Sequence, residues 1–249
     1  METISSRKNA YIRHLRSLSA DGDYRRQAGE YLCDGMKHLL EALAYGAHVR
    51  SVLWKESAQA VAGLTAAEQY IAPEELFDYA SPLKNSPGPV FTVAMPREGH
   101  GGPVRNAIVL EGVQDPGNVG TVIRTANAFG IGAVILTGPC ADLYNPRTVR
   151  ATMGAVFRQR VLQMDHTELK RFLKRSGLPL YGAALSDKAE DVRALPLKNA
   201  AVAVGSEGSG LSRELLALCD RQVIIPMQPD SESLNAAVAA SVLMWEMAR

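Results

Sequence analysis

Residues Ala201–Arg249 read AVAVGSEGSGLSRELLALCDRQVIIPMQPDSESLNAAVAASVLMWEMAR. Two short apolar runs, Ala201–Val204 and Val223–Ile225, each stop at a loop of small and polar residues. The first loop is Gly205-Ser206-Glu207-Gly208-Ser209-Gly210; the second, Pro226–Glu232, runs directly into an apolar helix. Open α/β sheets place ligands where strand ends deliver such loops side by side. The segment therefore predicts a cofactor pocket at the end of a sheet.

Upstream, the pattern is strand–loop–helix–strand. Ile108–Leu110 predicts a buried strand, and Asp115-Pro116-Gly117 a loop. Asn118 is placed as the N-cap of a helix running to Phe129, with Gly130 as its stop. Ala133–Leu136 is the next strand, completing a βαβ unit and implying parallel strands. Helices follow over 147–157, 167–174 and 213–218, with a strand over 179–184 between them. Five or six strands alternating with helices predict a parallel sheet covered on both faces.

Residues 1–95 predict a separate small α/β domain. Its expected helices cover 9–18, 36–44, 56–69 and 73–79, and its strands 31–33, 49–54 and 90–95. Pro96–Pro103 holds three glycines and two prolines in eight residues with no apolar period. The domain boundary falls there, giving a first domain over 1–95, a linker over 96–105 and a second domain over 106–249.

The rest of the chain narrows the function class. Its 249 residues carry a net charge of +1, which by itself does not argue for nucleic acid. Cys33, Cys140 and Cys219 are far apart and form no metal-binding spacing, so no metal is expected and the thiols read as free in a reducing, cytoplasmic setting. The polar start predicts no secretory leader, and Leu234–Met247 is too short to span a bilayer. Basic residues crowd the start (Arg7, Lys8, Arg13, Arg16, Arg25, Arg26) and the middle (Arg147, Arg150, Arg158, Arg160). Such clusters are either solvated faces or phosphate contacts.

Three loops hold candidate chemistry. A helix N-terminus near Asn118, with Arg124 further along, suits a phosphate or a polar substrate edge. The glycines of Gly205–Gly210 are spaced GxxGxG, not as in a dinucleotide fingerprint or a P-loop. Glu207 there suits a ligand with an amine, a hydroxyl or a positive centre. In the C-terminal helix Leu234, Val238, Val242 and Trp245 fall on one face, and two such faces are able to meet in a dimer.

At these loops the chain resembles the SpoU/TrmH family of RNA 2′-O-ribose methyltransferases, within the SPOUT superfamily. The resemblance rests on Asp115–Gly120 running into Arg124–Gly130, on Val204–Ser212, and on Ile225-Pro226-Met227 followed by Ser233-Leu234-Asn235. It covers residues 106–249; residues 1–95 resemble, more loosely, the family's ribosomal-protein-like substrate-binding domain. Ser206 departs from the family, which often has Asn there.

The resemblance implies a SPOUT-type parallel sheet with a C-terminal trefoil knot, S-adenosylmethionine as cofactor and a homodimer. It implies that Arg124, Asn118, Glu207, Ser233 and Asn235 form the catalytic set, and that Val204, Gly205, Gly208, Ile225, Met227 and Leu234 hold the cofactor. It also implies an RNA grip by Arg7, Arg13, Arg16, Arg25, Arg26 and Arg150. Ribosomal RNA is preferred to transfer RNA by likeness of the first domain. That domain looks poor in exposed aromatics, which favours folded RNA read by shape. An arginine is a poor base, so Arg124 is expected to hold a phosphate or steady the developing alkoxide, the proton going to a phosphate oxygen or water. An inactive RNA-binding protein on the same fold, or a tRNA- or base-directed enzyme, is the alternative.

Overall fold

Short apolar runs set most of the strands, and each of the longer helices is apolar along the stripe it buries. The computed structural model describes residues 1–58, 64, 67–96, 102–228 and 233–249. In chain order these form β1 (Glu2–Thr3), α1 (Ala10–Ala20), α2 (Gly22–Ala28), β2 (Glu30–Asp34), α3 (Met36–Ala44), β3 (Val49–Lys55), β4 (Glu68–Ala72), α4 (Glu74–Ala80) and β5 (Val90–Ala94). Next come β6 (Ala107–Glu111), α5 (Pro116–Ala128), β7 (Ala133–Thr137), α6 (Pro146–Ala151), β8 (Val161–Gln163) and α7 (His166–Ser176). The chain finishes with β9 (Leu180–Ala183), β10 (Glu190–Asp191), β11 (Ala201–Gly205), α8 (Arg213–Leu216), β12 (Arg221–Ile224) and α9 (Ala236–Ala248).

Two compact units emerge, Met1–Glu98 with Asp142–Phe157, and Gly99–Ala141 with Arg158–Arg249. The first holds a mixed sheet in the order β1-β4-β3-β5-β2. Ile12, Leu15 and Leu18 of α1 recur at helical spacing and pack with Leu32, Leu53 and Phe77. Leu39, Trp54 and Phe91 form a second cluster, which Val149 and Tyr144 join from the 142–157 excursion. The expected helix over 56–69 falls partly on residues outside those described, but Glu68 and Gln69 belong to β4, paired parallel with β3. Helix-favouring Glu and Gln yield there to the ladder bonds of a sheet.

Arg25 is a correction to the sequence reading of an RNA contact. Its side chain is 3% exposed, donates to Asp142 Oδ2 at 2.5 Å and to the Leu18 carbonyl at 2.6 Å, and so is spent inside the first unit. Arg25→Ala leaves Asp142 half-stranded and is expected to lower unfolding free energy by about 2 kcal/mol, read by denaturant titration.

Glu30 is likewise buried, with His14 Nε2 at 3.1 Å and Arg50 Nη1 at 3.5 Å. Burial pushes its carboxyl up, but His14, Thr92 and Arg50 together pull it below the usual range. The folded state thus binds this proton more weakly than the unfolded chain. Its stabilisation is present above the unfolded carboxylate value and is lost as pH falls through the lower folded value. Arg50→Ala and His14→Ala are expected to shrink that acid-side loss in melting temperature measured against pH.

The second unit is a seven-stranded sheet, β10-β12-β9-β11-β6-β7-β8, with every pairing parallel. Alternate residues point to opposite faces. Ala107, Val109, Ile135 and Ala203 meet Leu169 and Phe172 of α7 on one face. Ile108, Leu110, Val134 and Val202 are also fully buried, and on the helix side so are Val122 and Ile123 of α5 and Leu243 and Met244 of α9. α7 is set by its ends: Asp165 and Glu168 form a capping box, and Gly177 ends it at φ 65°. The three-residue strand β8 has no counterpart in the sequence reading.

Candidate active site

β6 lies at the switch point of the sheet. From it the chain moves outward through β7 to β8, then crosses to β9 on the other side, and β11 is inserted between β9 and β6. Glu111 and Gly205, the last residues of β6 and β11, are register partners. The loops leaving neighbouring strand ends at such a point form the ligand crevice. A cavity of about 430 Å³ opens there. Val204, Gly205, Gly208, Ile225, Met227 and Leu234, expected from the sequence to hold a cofactor, all line it. Ala183 and Leu185 add a wall from the end of β9 that the sequence reading did not include.

Gly205 has a steric reason to be glycine. A Cβ built on it would stand 2.1 Å from both the carbonyl carbon and oxygen of Gly210 and 2.5 Å from the Leu211 nitrogen. The Ser206–Gly210 loop folds back on its own strand there, closed by the Gly210 N–H donating to the Ser206 carbonyl at 2.9 Å.

Glu207, on that loop, gathers the other two motifs. Its Oε1 accepts from Asn118 Nδ2 at 2.5 Å, from Asn235 Nδ2 at 3.1 Å and from the Ala236 N–H at 3.3 Å. Asn235 also donates to Asn118 Oδ1 at 3.1 Å. Its own Oδ1 caps α9, accepting from Ala237 and Val238 N–H, so its amide has one orientation. Asn118 is not the N-cap of α5, as the sequence suggested. Asp115 is, accepting the Asn118 N–H at 2.8 Å, which leaves the Asn118 side chain for Glu207. Among the described residues Glu207 Oε2 has no hydrogen-bond partner. A carboxylate oxygen at the rim of an apolar cavity suits a ligand carrying positive charge.

Ser233 is exposed and lines the same cavity, while Pro229–Glu232 lie outside the described residues. Arg124 is not brought into the cluster. It sits on the exposed stripe of α5 with Thr121 and Ala128, and among the described residues it has no ion pair or hydrogen bond. In the first unit Arg13 and Arg150 are exposed, and Arg26 pairs with Asp23. Arg7 and Arg16 lie 4.6 Å and 5.1 Å from the ring centroid of Tyr79, an exposed aromatic that the sequence reading overlooked. Among the described residues no group of three or more His, Cys, Asp or Glu is placed to hold a metal ion, and no helix is long and apolar enough to cross a membrane.

The SpoU rRNA Methylase family profile matches residues 105–245. The chain belongs to this family. The chain is 31% identical to the 23S rRNA (guanosine(2553)-2′-O)-methyltransferase RlmP of Bacillus subtilis, over 99% of both chains. An AdoMet-bound rRNA methyltransferase from Sinorhizobium meliloti matches its fold with a TM-score of 0.89 at 25% identity, covering 99% of this chain and 97% of that one. The SpoU methyltransferase AviRb of Streptomyces viridochromogenes, solved with AdoMet, gives 0.86 at 26% identity, over 96% of this chain and 98% of that one.

Proposed function

We propose that the protein is an S-adenosylmethionine-dependent methyltransferase acting on a ribose 2′-hydroxyl of ribosomal RNA in the cytoplasm. The observation that carries this reading is the Asn118–Glu207–Asn235 cluster at the rim of the cavity. It unites all three motif loops around a carboxylate. The cavity fits the cofactor: its volume is within the roughly 300–1,000 Å³ usual for such ligands. Val204, Ile225 and Leu234 would offer an apolar wall to the purine, and Glu207 a negative charge to a cationic group of the cofactor.

When bound, that cofactor supplies a methyl group on a sulfonium. The chain supplies geometry and charge. Asn118 and Asn235 fix Glu207, and the short loops around it would hold the donor in line with the acceptor. Arg124, permanently charged, steadies the developing alkoxide. Arg7, Arg13 and Arg16 of the first domain, with Arg150 of the same compact unit, grip RNA, with 96–105 as linker. The segment from β11 to α9 is proposed to be threaded as a trefoil knot, a reading supported by the insertion of β11 between β6 and β9.

We also place a homodimer on the α5/α9 face. Val238, Val242 and Trp245 are 49%, 36% and 57% exposed, so the apolar stripe expected to be packed is open in the single chain. The packed face of α9 is instead Ala236, Ala240, Leu243 and Met247.

Labelled S-adenosylmethionine and ribosomal RNA are expected to give a ribose-methylated product by nuclease digestion and mass spectrometry. Methyl found on a base, or no transfer to any RNA, would defeat the reading. Arg124→Ala is expected to lower kcat by a factor on the order of 100 while calorimetry shows cofactor binding unchanged.

A further inference from the structure

Glu111 is absent from the chemistry above, yet it is a carboxylate only 7% exposed at the ligand end of β6. Placing a charge there costs several kcal/mol unless it is well bonded. It is bonded on every side. Oε2 accepts the Ser212 N–H at 2.7 Å, and Oε1 accepts the Ser212 hydroxyl at 2.7 Å. His166 Nε2 stands 2.9 Å from Oε1.

The position of Ser212 gives these bonds their meaning. The Ser206–Leu211 loop leaves the sheet at Gly205, whose register partner is Glu111, and ends at Ser212, which the Glu111 side chain holds. One residue therefore grips both ends of the loop, by backbone at the start and by carboxylate at the finish. Ser212 in turn caps α8, its hydroxyl accepting from the Leu215 N–H at 3.0 Å. The loop so held carries Glu207 and walls the 430 Å³ cavity on one side and a second cavity, of about 780 Å³, on the other. Glu111, His166 and Ser212 line the second cavity and not the first.

We infer that Glu111 is a positioning residue for the methyl-donor site, fixing the Glu207 loop through Ser212 without touching the ligand. This rests on the proposed function for the identity of the donor, but not for the loop itself.

The test uses the full chain with Glu111→Gln, Glu111→Ala and Ser212→Ala. Glutamine keeps an oxygen to accept the Ser212 N–H and adds a donor for its hydroxyl, so it is expected to stay close to wild type. Both alanine variants are expected to weaken S-adenosylmethionine binding by about tenfold or more in calorimetry, with the KM for RNA unchanged. Glu111→Ala is also expected to lose hydrogen-exchange protection at the Gly210 and Ser212 amides, and Ser212→Ala at the Gly210 amide. Ser212→Ala retains the core carboxylate and gives a result should Glu111→Ala fail to fold. Alanine variants with native protection and native affinity would overturn the inference, as would a glutamine variant as damaged as alanine. Wild-type protein that binds no S-adenosylmethionine would instead defeat the proposed function, and the exchange data alone would then decide the loop.

Discussion

Gly205→Ala is expected to abolish methyl-donor binding. The methyl group it adds would stand 2.1 Å from the carbonyl carbon and oxygen of Gly210, where no side chain can turn aside. The loop has to open, and with it move Gly208 and Glu207 from the cavity wall. Gly205→Ala is expected to lose at least about a hundredfold in affinity, or roughly 3 kcal/mol, read by calorimetry with S-adenosylmethionine. A Gly205→Ala protein with native affinity would show that the loop is not a wall of the donor site.

This glycine also shows how far the sequence carries. A Gly-rich loop after an apolar run was legible as a pocket, and the six residues assigned to the cofactor all meet at one cavity. Less legible was which residue performs which local task. Asp115 and Asn118 are both good caps by type. Only the backbone decides that Asp115 takes the cap and frees Asn118 for Glu207. The strand expected over Ile108–Leu110 leaves out Glu111, since a charge there ordinarily ends a buried strand, yet the strand runs through it. The burial of Glu111 depends on Ser212, 101 positions away, which no local pattern reports.

Domain limits were obscured for a similar reason. Residues 142–157 follow a strand of the second unit, yet Val149 and Tyr144 pack in a core of the first. A boundary drawn at the Gly- and Pro-rich stretch sees one crossing of the chain, not the later return. Arg25 was counted with its exposed neighbours because charge patterns do not register Asp142, 117 positions on.

Arg124 is expected to serve the partner's site. It lies six residues beyond Asn118 on α5, and at about 100° per residue the two side chains leave the helix on different sides. Asn118 turns to Glu207, and Arg124 turns outward. α9 packs beside α5, joined by the Phe129–Trp245 ring contact at 5.6 Å, and exposes Val238, Val242 and Trp245. In the homodimer proposed on that face, each Arg124 is expected to reach the other's cavity. Trp245→Asp with Val242→Asp should then give a monomer by light scattering that has lost methylation. The sharper test mixes subunits. Arg124→Ala is expected to retain on the order of a hundredth of the activity alone, and Gly205→Ala none. In a statistical mixture half the dimers are hybrid, each with one intact site, and about a quarter of wild-type activity should return. No recovery, despite confirmed hybrid dimers, would place Arg124 in its own chain's site.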